Sequence, residues 1–182
     1  MADTSIDLLR ASIKALKEVV APAVDATNPL AVEQLRMVTT SLSLLAEQLP
    51  YRGERLRFDL LSRIGLAQAL IAVLPVRPGS QDSEGGLHSA NDAAQAIAQR
   101  PDATERDIVD ATATLGAVLA AVVRGAAAAN ESVRRAIEQT VLAHSKSWLD
   151  VQRAWFLPMG FDHEKARLVS MPATLLNAIP TK

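Results

Sequence analysis

Apolar side chains recur along this chain at alternating steps of three and four residues, and that spacing restricts its fold more than any other feature. Ile6, Leu9, Ile13, Leu16 and Val20 form one series, and Leu35, Val38, Leu42, Leu45 and Leu49 a second. Leu56, Leu60, Ile64, Ala67, Ile71 and Leu74 follow, then Ile108, Ala111, Leu115, Val118 and Val122. The last long series is Ile137, Val141, His144, Trp148, Val151 and Trp155. A mean step of 3.5 is the seam of left-handed, nearly parallel helix packing. A strand would need alternation at every second residue. Composition agrees: 32 alanines and 24 leucines, both strong helix formers, stand against 3% aromatic residues.

The series are divided by residues that start or stop helices. Asp3 or Thr4 caps the first helix and Pro22 ends it. Asn28-Pro29 opens the second as a cap followed by proline at the first helical position, and Pro50 stops it. A third helix runs from about Arg52 to Leu74. The stretch PVRPGSQDSEGG, residues 75–86, then carries two prolines and three glycines and cannot propagate a helix. It reads as a flexible connection over 75–88, as slack, a lid or a contact loop. A short alanine-rich helix follows from Ser89 to about Gln99. Asp102 or Thr104 caps the next, Asn130 marks a turn or kink, and Pro158-Met159-Gly160 ends the last. The tail over 158–182 is apolar at Leu168, Val169, Met171, Leu175, Leu176 and Ile179, and is expected to pack on the bundle or on another subunit. Short turns before Asn28 and at Pro50 imply antiparallel neighbours. The expectation is all-α: one domain over 1–182, an antiparallel helical bundle of five to six helices with an irregular C-terminal tail.

Charge and motifs narrow the function classes. Net charge is −1 with acids and bases interspersed, so no basic face for nucleic acid is implied. With no cysteine, thiolate metal sites, disulfides and cysteine nucleophiles are excluded. The N-terminus has early acids and no uninterrupted apolar run, unlike a secretory signal. The longest apolar stretch, Leu115–Val123, is about half the ~20 residues of a membrane-spanning helix. These features predict a cytoplasmic protein without a membrane partner. Glu-x-x-His and His-Glu-x-x-His are both absent, as are the glycine-rich phosphate loops and the Gly-x-Ser-x-Gly elbow. No metal, no cofactor and no catalytic residue is therefore assigned. Asp162-His163-Glu164 looks like a metal or acid–base cluster, but neighbours on a helix point about 100° apart and do not converge. Arg55, Asp59 and Arg63, four apart, read as a solvated ladder of charges. A catalytic reading would have to bring His144, Asp150 and Arg153 of the last long helix together with Arg36 of the second.

One stretch concentrates the bulky and titratable side chains: Ala143 to Arg167 holds both tryptophans and two of the three histidines. The structural reading places His144 in the seam as a neutral core imidazole bonded to a carbonyl or hydroxyl, since an unsatisfied buried group costs ~1–3 kcal/mol. Trp148 and Trp155 then supply bulk, ~200 Å² each. The alternative is a ligand pocket opposite the alanine-rich 105–125 helix, with His144 binding a carboxylate or carbonyl, Trp148 and Trp155 as walls, and Arg153 assisting an anion. A 3.5-residue seam records core packing first, so the structural reading leads.

The segment DLLRASIKALKEVVAPAVDATNPLAVEQLRMVTTSLSLLAEQL, Asp7–Leu49, resembles the start of small bacterial helical proteins of unknown function encoded near aminoglycoside-phosphotransferase-like kinases and acyl-CoA dehydrogenases. The shared features are a Leu-Leu pair, a helix ending Val-x-x-Pro, and a Leu-rich helix closing in Glu. They cover about a quarter of the chain. This chain departs by an insertion at Val24–Leu30 and by its long C-terminal half, and the family has no catalytic residues to carry over. The resemblance implies an accessory role in acyl-CoA or related catabolism. Together these readings predict a non-catalytic interaction protein that forms a homo-oligomer or docks on an enzyme, with a small-molecule-binding bundle as the alternative.

Overall fold

The structure, a computed structural model, describes residues 4–74 and 84–160. Within them the chain is helical and contains no strand. The helices are α1 (Thr4–Ala15), α2 (Pro29–Gln48), α3 (Arg52–Val73), α4 (Glu84–Gln99), α5 (Glu105–Gly125) and α6 (Glu131–Phe156). The expected tail over 161–182, with Asp162, His163 and Glu164, lies outside the described residues, as does 75–83. Helix α4 starts five residues before the expected Ser89, taking in Glu84, Gly85 and Gly86.

Local chemistry explains most boundaries. Asn28 caps α2, its Oδ1 accepting from the Ala31 N–H at 3.1 Å, and Pro29 takes the position whose N–H would be orphaned anyway. Thr104 and Asp107 form a reciprocal capping box at the start of α5. Asn130 Oδ1 accepts from Val133 N–H at 3.0 Å, opening α6, and Gly160, at φ 80°, ends the turn after it. Pro22 does not stop the first helix where the sequence suggested. The chain widens into a π turn over Leu16–Val20, closed by Ala21 N–H on the Leu16 carbonyl, and continues helical to Ala23. Pro22 has no N–H to return to the Glu18 carbonyl, and the wider register accommodates that missing bond. At Pro50 the link is a 3₁₀ turn, Leu49–Tyr51, with Leu49 and Arg52 both in the right-handed helical region.

The chain divides into two compact units. The first holds α1, α2 and the end of α6 from Arg153. Helices α1 and α2 pack on each other across a five-residue link, Val24–Asn28, where Asp25 Oδ1 accepts from both the N–H and the hydroxyl of Thr27, at 2.9 and 2.7 Å. These two bonds hold the Asp25 carboxyl below its ordinary pKa. The 3₁₀ turn Leu157–Met159 lies against α2. Gln48 Nε2 donates to the Trp155 carbonyl at 2.9 Å, satisfying one of the four acceptors a helix leaves open at its C-terminus.

The second unit spans Gly53–Gln152 and contains the main core. Leu60, Ile64, Ala67 and Leu70 of α3 meet Leu87 and Ala94 of α4, Ile108, Leu115, Leu119 and Val122 of α5, and Ile137 of α6. Helices α4 and α5 are its most extensively packed pair. The helical stretch Glu105–Ala128 is longer than the apolar run read from sequence. Among the described residues it alone is long and apolar enough to cross a membrane by length and composition. Its Leu115, Leu119 and Val122 belong to the core.

Candidate functional site

The α6 series does not stay in the core along its length. Ile137 and Val151 are buried, whereas Trp148 is 41% exposed and His144 is half-buried. The core expectation for Trp148 is therefore corrected. At about 100° per residue Trp148 lies on nearly the same side of α6 as Ile137, so its exposure comes from the open groove beside it and not from rotation of the series.

That groove, about 200 Å³, is lined by Val141, His144, Ser145 and Trp148 of α6 and by Ser62, Arg63 and Leu66 of α3. The wall facing His144 is thus α3 and not the 105–125 helix, α5, that the sequence suggested. His144 and Trp148, one turn apart, are brought together. Arg153 and Trp155 belong to the first unit and do not line the groove. Asp150 and Arg36 are exposed, and Arg36 is taken by Glu33. A smaller crevice of about 40 Å³, between Leu60 and Ile97, has room for little more than water.

Hydrogen bonds decide which polar groups of the groove remain available. His144 Nδ1 lies 3.0 Å from the Thr140 carbonyl. A carbonyl only accepts, so Nδ1 carries the proton and Nε2 is the neutral ring's acceptor. Ser145 Oγ donates to the Val141 carbonyl at 2.7 Å, and Thr140 Oγ1 to the Ala136 carbonyl at 2.7 Å. Both hydroxyls are turned onto their own helix. No described residue bonds the Ser62 hydroxyl or the Trp148 indole N–H.

Arg63 was read as part of a solvated ladder, and the structure corrects this. Arg55 is 8% exposed, donates to Asp59 Oδ2 at 3.0 Å and lies over the Phe58 ring. Asp59 Oδ1 is buried with no partner among the described residues. Arg63 turns instead to α5, donating from Nη1 to the Thr112 carbonyl at 2.8 Å. It rests on Gly116, where an added Cβ would fall 1.7 Å from Nη1. A glycine inside an apolar helix marks a close approach, and Gly116 was the signal that could have located Arg63.

No family model, curated protein or solved structure matches this chain. Among the described residues no three His, Asp or Glu side chains gather to hold a metal ion. The groove offers a guanidinium, a serine hydroxyl, an imidazole acceptor and an indole face, a set suited to binding.

Proposed function

We propose that this protein acts by association, with α2 as the docking face and a second copy of the chain as its occupant. The observation that carries this reading is that α2 has two apolar faces. Ala31, Leu35, Leu42, Ala46 and Leu49 are the half-buried series of its packed face. Leu30, Met37, Val38 and Leu45, at 67, 51, 47 and 51% exposure, form another. Their spacing of seven and eight residues places them on one side of the helix, as in a coiled-coil seam. Scattered exposed leucines are ordinary, but an aligned stripe marks an interaction surface. Helix α2 has three charged residues, Glu33, Arg36 and Glu47, and the first two pair with each other. Two copies of this stripe would meet without like-charge repulsion, as an isologous interface requires.

The experiment is sedimentation equilibrium on the full chain and on a Met37→Glu/Leu45→Glu double variant. The expected result is a dimer for the parent and a monomer of unchanged helicity for the variant. A parent that stays monomeric at high micromolar concentration would sink the self-association reading. The stripe would then be the docking face for a different protein, such as an enzyme of the acyl-CoA or related catabolism that the Asp7–Leu49 resemblance implies.

A further inference from the structure

We infer that the groove between α3 and α6 is a binding site for a small carboxylate carried on one flat, apolar ring. The groove lies wholly within the second unit, so this inference is independent of the α2 docking face.

The charge of Arg63 is the first ground. Arg63 is half-buried and lines the groove, and no described carboxylate pairs with it. One N–H is committed to Thr112, leaving a guanidinium held in place with donors to spare. A guanidinium matches the planar, two-oxygen geometry of a carboxylate. One cation balances one negative charge, which favours a carboxylate over a phosphate dianion.

The distribution of hydroxyls is the second. Ser145 and Thr140 point back to their own helix, so the donors left for a ligand are Arg63 and Ser62 on α3, one of them charged, and the neutral Trp148 indole N–H on α6. The α6 wall contributes His144 Nε2 and the Trp148 indole. A ligand with its anion toward α3 and its ring toward α6 sets the carboxylate against the guanidinium and the ring against the indole face, with His144 Nε2 left to solvent at the open side of the groove.

Size and surface are the third. Trp148, at 41% exposure, keeps much of its face open beside Leu66 and Val141. Covering an indole with a second ring is favourable by ~0.5–1.5 kcal/mol beyond area burial. About 200 Å³ is below the ~300–1,000 Å³ typical of drug-sized ligands, which limits the occupant to about one ring.

The test is isothermal titration of the full chain with phenylacetate, its neutral isostere phenylacetamide, and benzylphosphonate. Phenylacetate should bind with a Kd of about a millimolar or tighter, in line with the size of the probe. Phenylacetamide should bind at least about tenfold more weakly, because a charge-assisted bond is lost. Arg63→Gln should weaken phenylacetate to the level of the amide. Because Arg63→Gln also removes a bond to Thr112, Gly116→Ala serves as a second variant. It displaces the guanidinium from its seat while adding a better helix former, and should weaken phenylacetate binding with helicity and melting temperature retained. Equal affinity for phenylacetate and phenylacetamide would overturn the inference. So would tighter binding of benzylphosphonate, or unaltered binding by a folded Gly116→Ala variant.

Discussion

The two units of this chain obey the same spacing rule and bury very different amounts of it. In the first, no residue of α1 is buried, and Leu44 is the one buried residue of α2. In the second, α3 alone buries Arg55, Phe58, Leu60, Ile64, Ala67 and Leu70. The reason is geometric. Two helices side by side share a line of contact, so each inward side chain keeps an open flank. Helices on several sides of a seam enclose it, and Leu60, Leu70, Leu87 and Leu115 fall to 1% exposure or less. Periodicity states which way a residue faces, and the number of helices around it decides how deeply it is buried.

The largest effect should separate the units by stability. Leu115→Ala, at a fully buried site, should cost about 3 kcal/mol in urea unfolding, within the range of core leucine truncations. Leu9→Ala, at a half-buried site on α1, should cost about 1 kcal/mol by the area it loses. Equal costs would mean that the hairpin is as enclosed as the four-helix core, and the comparison would break. Hydrogen exchange sharpens it without mutation. Amides of α1 should exchange well before those of α5, because local opening follows the density of buried contacts.

Next in size is the charged face of α3. Asp59→Ala should destabilise by about 2 kcal/mol, because it strips a partner from a nearly buried guanidinium. A solvated ladder would instead lose under about 0.5 kcal/mol per pair, so the same measurement separates the two readings. Sequence spacing of Arg55, Asp59 and Arg63 correctly placed them on one side of one helix. What it lacked was the neighbouring element, since nothing in a four-residue repeat states whether water or another helix covers that side.

The same limit runs through the rest. Helix existence, the caps at Asn28 and Thr104, the turn at Asn130, and the core residues Leu60, Ile64, Ala67, Ile108, Leu115 and Val122 were legible, because propensity, capping and periodicity are local. On α2 the reading slipped. Leu35, Leu42 and Leu49 face the packed side as expected, but Val38 and Leu45 are exposed, and Ala31, Thr39 and Ala46 complete the packed face in their place. Hydropathy favours the bulkier of two overlapping stripes, whereas close helix packing accepts small residues. At the groove, the His144–Trp148 pair was legible from its four-residue spacing. The α3 wall was not, because helix order around a bundle leaves no trace in the period of any one helix.

The smallest effect concerns the α5 cap, where the well-packed unit meets solvent. Thr104→Ala should cost about 1 kcal/mol, the usual loss for an N-cap. The cap also brings a pH dependence with a definite sign. Asp107 accepts from the Thr104 N–H at 2.9 Å and from its hydroxyl at 2.9 Å, and Arg100 donates to the same carboxylate. The Thr104 bonds, with Arg100 adding to them, hold the Asp107 carboxyl below its ordinary pKa. A depressed folded pKa means that the unfolded chain takes up this proton first as pH falls. The contribution is therefore complete above the ordinary value of 3.8 and is lost as pH drops through the lower folded value. Asp107→Asn should remove that part of the acid sensitivity, so the stability gap between parent and variant should narrow below about pH 4. A gap that stays constant from neutral pH to that point and below would show that the charge of Asp107 contributes nothing, and that the cap holds by the neutral bond from Asp107 N–H to Thr104 Oγ1 alone.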